Sequence, residues 1–144
     1  MSGLTDLDEL LRTMEPALAA GTFVYACVPA ADLAAHLSRG PVGLFREEEG
    51  VTLILPAAAA EGLAASPPMR MITLTVHSSL EAVGLTAAFA TALTKAGISA
   101  NVVAGYHHDH IFVPERDADR ALEALRALSR AALENKRDDG PAVL

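Results

Sequence analysis

The stretch whose reading decides the fold is "MITLTVHSSLEAVGLTAAFATALTKAG", residues 71–97. Its first residues alternate: Ile72, Leu74 and Val76 fall on one side, and Thr73, Thr75 and His77 on the other. That is the period of a half-buried strand. From Ser78 the period lengthens, and Leu85, Phe89, Ala92, Leu93 and Ala96 line one face of a helix expected to run from Ser78 until Gly97 ends it. A strand that runs straight into an amphipathic helix opens a βα unit.

Downstream, "ISANVVAGY" and "HIFVP" read as two further strands, followed by a helix over Asp117–Leu133 that buries Ala118, Ala121, Leu122, Leu125 and Leu128. Upstream, "LTDLDELLRTM" carries leucines at helical spacing, with Thr5 or Asp6 to cap it. "TFVYACV" then reads as a strand apolar on both faces, as in a sheet covered on two sides. A short helical piece at "ADLAAHL" and a hairpin follow, with strands over Val42–Arg46 and Val51–Leu55 and an acidic turn between them. The alanine-rich "AAAAEGLAA" predicts about two turns of helix, stopped by Ser66-Pro67-Pro68.

The order is β, α, β, β, α, β over 22–76 and β, α, β, β, α over 71–133. "EEEGVTLILPAAAAEGL" and "HHDHIFVPERDADRAL" echo one another as polar turn, apolar strand, proline and alanine-rich helix. The fold class is α+β, with two ferredoxin-like βαββαβ units, the second without an obvious final strand. The expected division is 1–70 for the N-terminal helix and first unit, 71–133 for the second unit, and 134–144 for a flexible polar tail. The strand at Met71 can close the first unit or open the second, which leaves the units open to sharing or exchanging strands.

Composition narrows the function. Eleven basic against eighteen acidic residues give a net charge of −7, with no basic cluster interleaved with aromatics, so a nucleic-acid partner is not expected. The chain is 51% hydrophobic, yet charge or proline breaks every apolar run before the roughly 18 residues of a membrane span. A single cysteine, Cys27, inside an apolar run reads as a small buried hydrophobe, and with no secretory signal it points to the reducing cytoplasm.

Two stretches can carry chemistry. In "VHSSLEAVG", residues 76–84, Ser78 and Glu81 have capping-box spacing where a strand meets a helix. The same residues suit a carboxylate or other small anion, through helix-terminal amides, two hydroxyls and a close-approaching Gly84. The nucleophile pattern G-x-S-x-G is absent, so neither serine reads as catalytic. In "GYHHDH", residues 105–110, strand alternation sends His107 and Asp109 to one side and His108 and His110 to the other, against convergence on one metal. Asp109 can orient an imidazole base, or these side chains can bond the local backbone of a turn. Turn chemistry, small-molecule recognition and a His/Asp metal or enzyme site all stay open at this point.

Residues 72–114, "ITLTVHSSLEAVGLTAAFATALTKAGISANVVAGYHHDHIFVP", resemble an ACT domain, and the whole chain resembles the small bacterial proteins built from two ACT-like units. Val83-Gly84-Leu85 is similar to the Pro-Gly-Leu of the ACT ligand loop, with valine at the proline position, and Ala96-Gly97-Ile98-Ser99 to the opening of its second strand. The resemblance implies a non-enzymatic regulatory protein that senses an amino acid at an interface between ACT-like units and acts on a separate protein target. It implies a ligand site of Ser78, Ser79, Leu80, Glu81, Val83 and Gly84 facing His108, Asp109, His110 and Ile111. Asp109 would meet the ligand's ammonium and the loop after His77 its carboxylate, with no catalytic residue, cofactor or metal. A homo-oligomer is compatible with this reading; the alternatives are a purely structural oligomerisation module without ligand and a His/Asp metal-binding protein or enzyme.

Overall fold

The computed structural model describes residues 6–76 and 80–138. In chain order the elements are α1 (Leu7–Thr13), β1 (Pro16–Leu18), β2 (Phe23–Val28), α2 (Leu33–His36), β3 (Gly43–Arg46), β4 (Val51–Pro56), β5 (Met69–Leu74), α3 (Leu85–Lys95), β6 (Asn101–Ala104), β7 (Asp109–Pro114) and α4 (Ala118–Asp138). They divide into two compact units, Ala20–Arg70 and the flanking segments up to Ala19 and from Met71 onward.

In the unit Ala20–Arg70, β2 runs antiparallel to β4 from Phe23↔Pro56 to Val28↔Val51, and β3 pairs with the far side of β4. The hairpin closes through Glu47 N–H to Gly50 O at 2.8 Å. Met69, the first residue of β5, pairs with Phe23. Val24, Ala26 and Val28 share the buried face of β2 with Val51, Leu53, Leu55 and Ala60, the alternation of a sheet packed on one side. Cys27, expected to be buried, is exposed on the outward face of β2, where Phe23 is buried and Tyr25 half-buried.

The helix expected after Pro56 is also absent. Ala57–Ala59 make only a 3-10 turn, Gly62 takes φ +81°, and the chain doubles back so that Ala65 bridges Ala26 and Ser66 Oγ accepts from Tyr25 N–H at 2.9 Å. The run lacks large apolar side chains at helical spacing, so no buried stripe offsets the cost of ordering a helix this short.

The other unit has the strand order β1-β5-β7-β6. The segment from β5 to α4 supplies the β, α, β, β and α elements. The missing last strand comes from the N-terminus: β1 pairs antiparallel with β5 through Pro16↔Leu74, Ala17↔Thr73 and Leu18↔Ile72. Ala19 N–H to Met71 O and Thr75 N–H to Glu15 O, at 2.9 and 2.8 Å, extend the ladder at both ends. Helix α1, expected with the first unit, therefore packs in this one, on α3 and α4. Its cap is Asp6, whose Oδ1 accepts from Glu9 N–H at 2.9 Å. Leu10, Leu11 and Met14 enter one core with Ile72, Leu74, Phe89, Leu93, Ile111, Val113, Ala121 and Leu125. Burying an apolar face against partners is what holds so short a helix in place.

Strand β5 thus serves both units: its first residue pairs with β2 and its last three with β1. Helix α4 runs to Asp138, into the segment expected to be a frayed tail; residues 139–144 lie outside those described. Among the described residues no helix is long and apolar enough to cross a membrane.

Candidate functional site

The site expected from sequence lies at one end of β5 and β7. Helix α3 begins at Leu85, later than the expected Ser78, and its N-cap is Gly84 at φ +99° with no side-chain hydrogen bond. A left-handed residue cannot continue a right-handed helix, so Leu80–Gly84 form a loop and a capping box at Ser78 and Glu81 does not belong to α3. Ser78 and Ser79 themselves lie outside the described residues. Leu80 and Val83 are 68% and 83% exposed, and Glu81 is exposed.

Opposite this loop, β6 and β7 are joined by a two-residue turn. Ala104 pairs with Asp109, and Gly105 N–H donates to His108 O at 2.8 Å, leaving Tyr106 and His107 at the tip. Their rings pack edge to face at 5.0 Å. A Cβ at Gly105 would stand 3.0 Å from His108 O, so glycine lets the turn close.

Within β7 the alternation runs as expected. Asp109 shares the helix-facing side with Ile111 and Val113 and is only 8% exposed, a buried carboxylate at the mouth of an apolar core. His110 points the other way and is joined to Thr73 at 2.9 Å through Nδ1. In the neutral ring with Nδ1 unprotonated, the Thr73 hydroxyl donates. Burial, aided by the neighbouring His108, lowers the His110 pKa from its ordinary value, and Asp109 opposes that shift. His108 lies before the strand, its Nδ1 3.5 Å from Val76 O. Ile111 is fully buried in the core.

Asp109 lines a cleft of about 80 Å³ with Leu80, Leu85, Thr86 and Gly105. Of the expected residues, Leu80 and Asp109 meet there, whereas His110 faces the opposite side of the sheet. Thr86 and Gly105 were missed, although Thr86 sits in the first turn of α3, where amides lack intrahelical partners. Among the described residues no three His, Cys, Asp or Glu side chains are arranged to hold a metal ion.

Two units that each combine antiparallel strands with helical elements, the second carrying a buried carboxylate beside a helix start, define a tandem ferredoxin-like protein. Family models for the ACT domain match residues 2–69 and 67–127. A protein of unknown function from Vibrio cholerae, described as a possible transport protein, is 53% identical, and the match covers 89% of this chain and 99% of that one with a TM-score of 0.78. The regulatory subunit of aspartate kinase from Thermus flavus has 14% identity, 81% and 98% coverage and a TM-score of 0.62. Clostridium acetobutylicum aspartate kinase has 14% identity, 83% and 35% coverage and a TM-score of 0.68. No curated protein matches the chain. The chain belongs to the family of small tandem ACT-domain proteins.

Proposed function

We propose that this protein is a non-enzymatic, cytoplasmic regulator that senses an amino acid and acts on a separate protein. The observation that carries the reading is Asp109, a buried carboxylate lining a cleft beside the first turn of α3. An α-amino acid presents an ammonium and a carboxylate. Asp109 is suited to the first, and the loop Leu80–Gly84 with the opening amides of α3, together with the hydroxyls of Ser78 and Ser79, to the second. A cleft of about 80 Å³ is smaller than most small-molecule pockets, which suits a ligand held chiefly by its two charged groups. His108 stands in the turn that leads into β7, Ile111 is buried in the core and His110 bonds Thr73 on the other side of the sheet.

Thermal melting against the twenty amino acids tests the reading. At saturation one of them raises the melting temperature by several degrees, as expected when a ligand binds only the folded state. Asp109→Asn abolishes that rise. No stabilisation by any amino acid would refute the ligand site. The alternative, an oligomerisation module without ligand, draws on Val42, Leu44 and Phe45, which are 50%, 42% and 71% exposed at and beside an edge strand. Light scattering showing a stable oligomer that no amino acid alters would favour it.

A further inference from the structure

A second cleft, of about 310 Å³, opens between the end of α1 and the middle of α4. Three arginines, Arg12, Arg126 and Arg130, line it in a chain whose net charge is −7. Arg126 and Arg130 stand four residues apart and so share a helix face, and like charges at that spacing destabilise a helix. Arg130 is held by Glu123 at 2.6 Å. Among the described residues neither Arg12 nor Arg126 makes an ion pair within 4 Å. Arg12 is half-buried, and Ser129 Oγ on α4 reaches Arg12 O at 3.4 Å.

The hydroxyls on the walls spend their hydrogens on the backbone, Thr13 Oγ1 on Glu9 O at 2.7 Å and Ser129 Oγ on Arg12 O. Free donors in the cleft are therefore the guanidinium N–H groups. One carboxylate, Glu15, also lines it, so the lining residues carry three positive charges against one negative.

We propose that this cleft binds a small oxyanion bearing two or more negative charges, at a site distinct from the amino-acid cleft. Guanidinium forks match phosphate and carboxylate oxygens bidentately, and a multivalent anion relieves the repulsion that the arginines otherwise impose. The proposal stands whether or not Asp109 receives an amino acid.

The experiment is thermal melting of the full chain with sodium pyrophosphate, with citrate, and with sodium chloride at matched ionic strength. It is run on the wild type, Arg126→Gln and the double variant Arg12→Gln/Arg126→Gln. At least one of the two anions raises the wild-type melting temperature by several degrees beyond chloride, and the stronger of the two names the phosphate or carboxylate class. The double variant loses the rise. Exposed Arg126 can be changed without disturbing the core, so the single variant, with a reduced rise, keeps the test open if the double variant does not fold. A rise no greater than that of chloride, or one that persists in the variants, overturns the proposal.

Discussion

Gly84 stands where the loop after β5 becomes α3, and its φ of +99° is what separates them. A Cβ there would enter a left-handed conformation and meet Leu7 Cδ2 at 3.0 Å. The leucine tip can move aside, so backbone strain dominates, and Gly84→Ala should cost about 1–2 kcal/mol in urea unfolding. An unchanged midpoint would show that the loop relaxes freely. His110 gives a pH prediction. Its pKa is lowered on folding by burial, so below the ordinary histidine value the unfolded chain binds more protons than the folded one. Its contribution to stability is therefore complete above about pH 6.5 and declines as pH falls from there toward the lowered folded pKa. Melting temperatures over that range should fall with acid, and His110→Gln should flatten the fall. A slope identical in the variant would assign the effect to other groups. The sequence made the opposed orientations of Asp109 and His110 legible, because strand alternation is a local rule. It also read "HHDH" as a polar turn ahead of the strand, and in the structure the turn ends at His108 and β7 begins at Asp109.

At the scale of elements, periodicity located β5, α3, β7 and α4 because each carries large apolar side chains at its own repeat. It failed on two kinds of segment. The alanine run after Pro56 has helical propensity but no apolar stripe to bury, and it became a 3-10 turn. Pro16–Leu18 is too short for any period to show, and its partner lies far along the chain in β5. That three-residue strand and α1 nevertheless complete the second unit, adding Leu10, Leu11 and Met14 to its core. Each such side chain is worth about 2–5 kcal/mol when truncated, against a total stability of about 5–15 kcal/mol for a domain. A chain beginning at residue 20 should therefore lose the cooperative melting of this unit. The 222 nm circular dichroism signal reports it selectively, since the long helices α3 and α4 both belong there. A retained transition at the wild-type temperature would mean that α1 and β1 are peripheral.

Across the whole molecule, the sequence by itself determined the fold class and the two-unit plan, because hydrophobic period and turn residues are properties of neighbours along the chain, while the ACT family was legible through the resemblance of residues 72–114 to an ACT domain. The same resemblance set Asp109 opposite the loop before α3, and Asp109 and Leu80 line one cleft. Only the tertiary structure decided which unit owns the N-terminus, that β5 serves both units, and that Arg12 meets Arg126 and Arg130 around one cleft. These are pairings between distant residues, chosen by which edge backbone can hydrogen-bond and which apolar face can be covered. No local pattern encodes that choice, because it is made by the free energy of the assembled unit.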